Sequence, residues 1–405
     1  MIAMEDRPPT NDDATLSAAD LACRQGPEPE RAGKHQEAIE AYRRAVESAP
    51  ENYLHRYILG RELMERGRQE EALVELAKAA DLDATQFYPH YRRGEILEEL
   101  GRLDESAVAY REALSRNPDW ALGHSLLGGV LDDLERYDES VVQFQEAVRL
   151  EPNFVGAMNG LAIALKYAGR LDEAEACYRK AIEIDPEWEC PYYNLARLFR
   201  QNGRLEEALE YYDRYLALKP DDPGGLVERA YTLDEMDRYA EGEEAYRAAS
   251  RLKPEDGELY MEMGNMLDRA GRLDDALSAY SEAIRLEPEN STIHFNVGVA
   301  LSNADRYSEA AESYRRAVEL NPEYATAFAG LGKSLRHQGV YDAAESALLS
   351  AISLDPENGD AHYELGCVYE EIGRIDKARG ELELAVASDD EDVVALAREA
   401  LLGLT

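Results

Sequence analysis

Small and hydrophobic residues return along this chain of 405 residues at a fixed interval of 34 positions. Inside one interval they recur at every third or fourth residue, as Leu161, Leu165, Ala174 and Tyr178 illustrate. That spacing places them on one face of an α-helix. Each interval holds two such stretches with a short polar segment between them, so the pattern predicts an array of helix pairs.

Further columns recur with the same period. A column of Gly and Ala in the first stretch, which includes Gly94, faces a column of large apolar residues in the second stretch, which includes Tyr110. Small residues that face large ones are what close packing of helices requires. A proline column closes the intervals and is interrupted only by Ala84; its members are Pro50, Pro118, Pro152, Pro186, Pro220, Pro254, Pro288, Pro322 and Pro356.

The segment between the two stretches has the chemistry of a tight turn. One interval has Gly169, Arg170, Leu171 and Asp172 there, and Gly accepts the left-handed conformation that ends a helix. The Asp lies near the N-terminus of the next helix, where negative charge is favourable. The proline column ends the second helix, because Pro lacks an N–H group and restricts the residue before it.

These positions together resemble the tetratricopeptide repeat, a helix–turn–helix unit of 34 residues. In one interval the resemblance rests on Met158, Leu161, Ala162, Leu165, Gly169, Ala174, Tyr178, Ala181 and Pro186. It extends over nearly the whole chain. The resemblance implies an all-α fold, a right-handed α-solenoid (superhelix) of tetratricopeptide helix–turn–helix repeats.

The repeat period divides the chain into four parts. We expect a flexible acidic N-terminal tail at 1–18, a degenerate first repeat at 19–52, ten tandem repeats at 53–392 and a C-terminal capping helix at 390–405. In the capping helix, Asp389 and Asp390 are expected to cap the N-terminus, and Leu396 is expected to cover the last repeat. The full repeats begin near Tyr53, Phe87, Ala121, Val155, Glu189, Pro223, Gly257, Ser291, Ala325 and Gly359.

Charge narrows the choice of partner. The chain has 83 acidic against 44 basic residues and a formal net charge of −39, so it repels phosphate backbones and nucleic acid is not an expected partner. No stretch approaches the roughly 18 apolar residues of a membrane span, and Met1 to Thr10 has no apolar core of a secretory signal. We therefore expect a cytoplasmic protein without membrane insertion.

Catalytic residues would have to form a cluster that departs from the 34-residue pattern, and the sequence shows no such cluster. His90, His124, His294 and His362 share one column and are expected to be packing residues rather than metal ligands. The cysteines are too sparse for a disulfide framework and are expected to be buried or half-buried thiols. The sequence thus predicts no enzyme activity, no cofactor and no metal site.

The candidate binding surface follows from helix geometry. If Leu195 and Phe199 pack within the array, the opposite side of the same helix lines the groove of the solenoid. An exposed apolar row there would indicate a binding site, although the same row could instead pack on neighbouring helices. The predicted partner-binding residues are Tyr57, Tyr91, Tyr193, Arg197, Arg200, Phe295, Lys333, Arg336 and Tyr363.

The predicted function is a non-enzymatic scaffold or adaptor that binds a segment of a partner protein in this groove. Because cations are scarce in the chain and gather in the groove, the expected segment is acidic or carries a free C-terminal carboxylate. The alternative is a targeting or regulatory subunit of an enzyme or assembly machine encoded by another chain, for example one associated with a glycosyltransferase or with secretion. The oligomeric state is left open.

Two binding patterns known in tetratricopeptide proteins are not reproduced. The clamp for a chaperone's acidic tail uses Lys and Asn, where this chain has Tyr57, Arg61, Tyr91 and Arg92. The asparagine ladder of sugar-transferring relatives is reduced to Asn194 and Asn296. The resemblance therefore implies the fold and leaves the partner open.

One repeat departs from the pattern. Tyr215 replaces an otherwise constant Ala, and Pro223, Gly224 and Gly225 open the following helix. A Tyr in an Ala site overpacks unless its neighbours give way. Two hypotheses remain: a hinge or notch at 215–230, or glycines that make room for Tyr215.

Overall fold

The computed structural model describes residues 35–404, which form 22 α-helices and no β-strand. The predicted tail at 1–18 and the beginning of the degenerate repeat lie outside the described residues. Two compact units divide between Leu198 and Phe199, within helix α10. The first ten helices are α1 (His35–Ser48), α2 (Tyr53–Glu65), α3 (Gln69–Leu82), α4 (Tyr88–Glu99), α5 (Leu103–Arg116), α6 (Ala121–Asp133), α7 (Tyr137–Leu150), α8 (Val155–Tyr167), α9 (Leu171–Ile184) and α10 (Cys190–Gln201).

The remaining helices continue the alternation of first and second helices. They are α11 (Leu205–Leu218), α12 (Pro223–Glu235), α13 (Tyr239–Leu252), α14 (Gly257–Arg269), α15 (Leu273–Leu286), α16 (Ser291–Asn303), α17 (Tyr307–Leu320), α18 (Ala325–His337), α19 (Tyr341–Leu354), α20 (Gly359–Glu371), α21 (Ile375–Ala385) and α22 (Glu391–Gly403). The second helix is the longer one in every pair except α20 and α21. Each first helix begins at the predicted position or one residue after it. The all-α fold expected from the sequence is confirmed.

The turns inside the repeats adopt the left-handed backbone that their glycines favour. Gly169 has φ of 77°, and six other turn glycines are similar. In three turns an acidic residue takes this place, and in one of them Asp305, with φ of 57°, accepts a hydrogen bond of 2.6 Å from the hydroxyl of Tyr307. Asp is among the few non-glycine residues that tolerate this conformation.

The core is built by the facing columns. A Cβ atom added to Gly94 would lie 2.5 Å from the ring of Tyr110, which is fully buried. The hydroxyl of Ser106, on the second helix α5, donates a hydrogen bond of 2.8 Å to the carbonyl of Gly94. Helices approach this closely only where one partner lacks a side chain, so the small column is a packing requirement.

First and second helices take different places inside each unit. In unit 1 the first helices α2 and α4, and α6 and α8, contact each other directly; in unit 2, α14 to α20 do so in sequence. No two second helices in the described part of the chain make contacts of that extent. The first helices therefore form the inner side of each unit, and the second helices form its outer side.

The last helix, α22, packs on α20 and α21 at the end of unit 2. Asp390 caps it, because its carboxylate accepts hydrogen bonds from the backbone N–H groups of Asp392 and Val393 at 2.9 and 3.2 Å. Val393 and Ala397 are buried. The expectation for Leu396 was wrong: its side chain lies on the outer face and is 47% exposed.

The irregular repeat keeps a continuous helix. The Tyr215 hydroxyl donates 2.9 Å to Asp222, whose carboxylate also accepts from the Gly225 N–H at 2.6 Å and so caps α12. A Cβ atom on Gly225 would lie 2.5 Å from the Tyr215 ring. Gly225 therefore makes room for Tyr215, as the second hypothesis states, whereas a Cβ atom on Gly224 would meet only Asp222, at 3.4 Å. A hinge at 215–230 stays a prediction.

Candidate functional site

The predicted partner-binding residues lie on the first helices of both units. We call them, with their charged neighbours, the inner face of unit 1 and the inner face of unit 2. The inner face of unit 1 consists of Tyr57, Tyr91, Glu98, Asp132, Lys166, Tyr193 and Arg197. The inner face of unit 2 consists of Arg200, Phe295, Lys333, Arg336 and Tyr363.

The aromatic residues of unit 1 are partly used in packing. Tyr57 is buried, with 7% of its surface exposed. Tyr91 is half-buried; its ring meets that of Trp120 edge-on at 5.0 Å, and its hydroxyl donates 2.6 Å to Glu95. The alternative that the aromatic row packs on neighbouring side chains therefore holds for Tyr57 and in part for Tyr91.

Arg197 is a basic group of unit 1 that pairs with no carboxylate of the described residues. Its guanidinium carbon lies 5.8 Å from the ring centroid of Tyr193, within reach of a cation–π contact. Its Nε atom is buried and has no hydrogen-bond partner among the described residues. Next to it, the Asn194 amide donates 3.2 Å to the Asn159 side chain, which links two successive first helices.

The inner face of unit 1 also carries carboxylates that form no ion pair with a cation of residues 35–404. Burial raises the pKa of Asp132 to about 6, and the charge of Asp133 adds to this effect. One oxygen of Asp132 is buried without a hydrogen-bond partner among the described residues. Partial burial raises the pKa of Glu98 as well, although the hydroxyl of Tyr110 donates 3.0 Å to it.

Arg200, at the start of unit 2, holds two successive first helices together. Its guanidinium donates 2.9 Å to Glu228 and 2.8 Å to Glu235. Burial acts to lower the pKa of Arg200, but the Glu235 hydrogen bond and the Glu228 charge outweigh it and raise that pKa above its ordinary value. Both carboxylates belong to α12.

Arg336 repeats this arrangement four repeats further on. It donates 2.7 Å to Glu364 and 2.7 Å to Glu371, both on α20. Its side chain is 13% exposed and that of Glu364 only 7%. Burial again acts to lower the pKa of Arg336, and the Glu364 charge and hydrogen bonds raise it overall.

Sequence reasoning missed the partners of these two arginines. In both cases the carboxylates follow the arginine by 28 and 35 residues. These separations flank the 34-residue period and therefore connect one first helix with the next. Acidic residues at both separations from a basic residue are the signal that would have found them.

Lys333 differs from Arg336, although both lie on α18. Its side chain is exposed and makes no ion pair or hydrogen bond with the rest of the described chain. Phe295 is half-buried and stacks on Tyr324 at 4.9 Å between ring centroids. Tyr363 is half-buried too, and burial raises its pKa to about 12.

The histidine column packs as predicted. His362 is buried, with Nδ1 2.7 Å from Glu381 and Nε2 3.1 Å from the carbonyl of Pro356. His124 makes the same two kinds of contact, to Gln143 and Pro118. The rings of His124 and His362 thus link a turn between repeats to the next second helix, whereas His90 contacts Glu112 through Nδ1 and His294 contacts the carbonyl of Pro288.

No metal centre is apparent within residues 35–404, because no group of three His, Cys, Asp or Glu residues there is arranged to hold an ion. Cys367 is buried and Cys177 half-buried, as expected, whereas Cys190 is exposed, against the expectation. Over the same residues, no helix has both the length and the hydrophobicity to cross a bilayer. The cytoplasmic location stays a prediction.

Comparison with known protein families identifies the repeats. Four models described as tetratricopeptide repeat match at 12–89, 87–120, 124–154, 155–221, 227–291, 261–325, 295–353 and 329–393. The chain belongs to the tetratricopeptide repeat family. Members of this family generally serve as non-catalytic scaffolds for protein interaction, so a general protein-binding role follows from membership.

Solved structures with similar folds include yeast Tom70, at 19% identity and a TM-score of 0.44, covering 95% of this chain and 96% of that chain. YrrB, titled a TPR protein with an unusual peptide-binding site, has 27% identity and a TM-score of 0.38, covering 45% and 95%. MamA from Desulfovibrio magneticus RS-1 has 22% identity and a TM-score of 0.39, covering 40% and 92%. A search of curated proteins gives no significant match.

Proposed function

We propose that this chain is a non-enzymatic scaffold or adaptor that binds a segment of a partner protein along the inner faces of its first helices. The proposed segment is acidic or ends in a free carboxylate. On the inner face of one unit it would contact a half-buried ring, Tyr193 in unit 1 or Tyr363 in unit 2, with its apolar side chains, and place carboxylates against the cations that the described repeats leave unpaired.

The observation that carries this proposal is the contrast between Lys333 and Arg336 on one helix. Arg336 is held by Glu364 and Glu371, so a partner would have to displace an existing ion pair to reach it. Lys333 has no such partner within residues 35–404 and is exposed on the inner face. An unpaired cation in a chain of net charge −39 is a favourable contact for a partner's carboxylate.

Arg197 supports the same proposal independently in unit 1. Its guanidinium carbon lies 5.8 Å from the centroid of the Tyr193 ring. Its Nε–H group is buried and donates a hydrogen bond to no described residue. Arg forms bidentate hydrogen bonds with carboxylates, which suits recognition of a chain terminus or an acidic side chain. The proposed contacts are therefore Lys333 in unit 2 and Arg197 in unit 1, while Arg200 and Arg336 support the helices.

Peptide binding to single-site variants tests the proposal. The probe is a fluorescent synthetic peptide rich in Asp and Glu with a free C-terminal carboxylate, and a C-terminally amidated form separates side-chain from terminal recognition. Lys333→Gln and Arg197→Gln are each expected to weaken binding by about 1–2 kcal/mol, a factor of roughly 5–30. Lys180→Gln, which removes an exposed lysine paired with Glu183 on an outer helix, is the matched control.

Unchanged affinity in both inner-face variants would contradict the proposal. Thermal unfolding of the Lys333→Gln variant should match that of the parent protein, because removing an exposed and unpaired cation alters stability little. For Arg197→Gln, at a half-buried side chain, thermal unfolding checks that the fold is kept.

A further inference from the structure

His337 is the last residue of the first helix α18 in unit 2. It follows Arg336 directly and lies one helical turn beyond Lys333. Its side chain is exposed, as is that of Lys333. The function proposed for unit 2 gives this imidazole no role, although it is a titratable group beside two cations.

The ring of His337 is oriented by a neighbouring helix. It stacks on Tyr307, the first residue of α17, with 4.1 Å between the ring centroids and 5° between the ring planes. The Tyr307 hydroxyl in turn donates a hydrogen bond to the carboxylate of Asp305 in the preceding turn. Because the His337 side chain is exposed, this stack orients the imidazole without covering it.

The neighbouring guanidinium defines the protonation state of this ring. Nη2 of Arg336 lies 3.2 Å from Nε2 of His337. A guanidinium has N–H donors and no acceptor, so the imidazole nitrogen has to accept this hydrogen bond. Nε2 is then unprotonated, and the ring is neutral with its proton on Nδ1.

The charges that act most strongly on His337 balance one another while its ring is neutral. They are two cations of α18, Arg336 and Lys333, and two carboxylates of α20, Glu364 and Glu371. Partial burial lowers the pKa of His337, the Arg336 charge adds to this effect, and the Glu364 charge opposes it. A proton on the ring would change the sum of these charges from zero to a positive value.

Protonation of His337 has two consequences for a carboxylate that approaches the end of α18. Nε2 becomes a donor, so it stops accepting from Arg336 and can donate to that carboxylate. The ring also becomes a cation, and hydrogen bonds between charged groups are about twice as strong as those between neutral groups. The helix dipole favours a positive charge at this C-terminus.

We propose that His337 is a pH-dependent carboxylate-binding residue, which binds an acidic segment together with Lys333 when its ring is protonated and takes no part at neutral pH. This inference rests on the proposed function, since it concerns the same inner face of unit 2. A bound carboxylate raises the pKa of His337, so the complex holds more protons than the free protein does. Its formation is therefore favoured as the pH falls below about 6.5, the ordinary pKa of histidine.

Peptide binding at pH 7.5 and at pH 5.5 tests this inference. The probe is the fluorescent peptide rich in Asp and Glu, whose carboxylates have an ordinary pKa near 4 and stay largely ionised at both pH values. For the parent protein we expect an affinity about three- to sixfold higher at pH 5.5, which corresponds to a rise of about 0.5–1 in the pKa of His337 on binding. Fluorescence anisotropy at one low ionic strength measures it, because salt screens the contacts between charges.

His337→Tyr is the decisive variant, because the chain has a tyrosine pair at the corresponding place of an earlier repeat. Tyr137 and Tyr167 precede Tyr307 and His337 by 170 residues each, and their rings stack with 5.1 Å between the centroids. The substitution can therefore keep the stack, but it introduces no group that titrates between pH 5.5 and 7.5. We expect this variant to lose the gain of affinity at pH 5.5.

His294→Gln is the matched control within unit 2. His294 belongs to α16, and burial lowers its pKa as well. Its Nε2 atom contacts the carbonyl of Pro288 rather than a cation. This variant should keep the full gain of affinity at pH 5.5. Circular dichroism and thermal unfolding at both pH values verify that the two variants keep the fold.

An equal gain in His337→Tyr and the parent protein, or no gain in the parent protein, would overturn this inference alone, because Lys333→Gln still tests the proposed function at pH 7.5. A gain that His294→Gln loses would assign the effect to another histidine and would overturn it too. Absence of binding at both pH values would overturn both proposals. Unchanged binding of Lys333→Gln, with a gain that only His337→Tyr loses, would contradict the role of Lys333 and support that of His337.

Discussion

The two units differ in how the charged side chains on their inner faces are paired. In unit 2, charges on one first helix are neutralised by the next, as Arg200 is by Glu228 and Glu235. In unit 1, the first helices form ion pairs within one helix, such as that of Arg92 with Glu95 at 2.8 Å, or with a second helix, such as that of Arg56 with Glu75 at 2.9 Å. Asp132 in unit 1 has no cationic partner within the described chain, and burial raises its pKa.

This difference shows which positions of the repeat are free to vary. Both units keep the small residues that face large rings, because any side chain at Gly94 or Gly264 would collide with Tyr110 or Tyr280. The inner-face positions carry no such packing constraint, so one register holds Asp132, Lys166 and Arg336 in different repeats. Helix packing defines the array, and the inner-face charges distinguish its two units.

The largest expected effect comes from breaking a link between first helices in unit 2. Arg336→Met would leave the nearly buried Glu364 carboxylate without its cation, and we expect α18 and α20 to lose about 2–4 kcal/mol of stability at pH 7. Hydrogen exchange at the amides of these helices measures the change locally, which suits a repeat array whose unfolding need not be two-state.

Lys166→Met is the matched control in unit 1, because Lys166 occupies the corresponding place in its repeat. Its ammonium lies 4.4 Å from the ring centroid of Tyr167 and has no carboxylate partner among the described residues. The expected loss is below about 1 kcal/mol. The double variant Arg336→Met with Glu364→Gln should recover part of the loss, since the buried charge is then removed as well. Equal losses of stability in the Arg336→Met and Lys166→Met variants would contradict the difference between the units.

A pair of glycine substitutions is expected to have effects of opposite sign. Ala at Gly264 in unit 2 would place its Cβ 2.6 Å from the Tyr280 ring, and overpacking should cost about 1–3 kcal/mol. Ala at Gly129, on the inner side of α6 in unit 1, meets no atom within 4 Å and should add about 0.5–1 kcal/mol through helix propensity. Urea unfolding of both variants measures the two changes. A gain of stability in the Gly264→Ala variant would show that the Tyr280 ring can move aside without an energetic penalty.

The packing positions could be predicted from the sequence, and the inner-face pairing could not. Gly94 and Tyr110 stand in columns that repeat with the period, so one repeat predicts the contact in the others. The aromatic row was harder to interpret, because hydrophobicity alone does not separate the buried Tyr57 from the half-buried Tyr193. The sequence predicts that Arg200 and Lys333 are both cations available to a binding partner. Only the positions of the neighbouring carboxylates distinguish them, and those depend on how successive first helices align.

The smallest expected effect concerns the carboxylate of Asp132, whose pKa burial raises to about 6. Because the folded state binds this proton more tightly than the unfolded state does, stability falls as the pH rises from about 4 to above 6. Replacing Asp132 by Asn removes the free-energy cost of holding this charge in a partly buried place. We expect it to raise the unfolding free energy of unit 1 by about 1 kcal/mol at pH 7.5, a value reduced for the partial exposure of the site, and to change it little at pH 4. Asp133→Asn, at the exposed neighbour, should give a smaller gain. Denaturant unfolding at the two pH values provides the measurement, and a loss of stability at pH 7.5 would mean that the Asp132 charge is compensated within the folded protein.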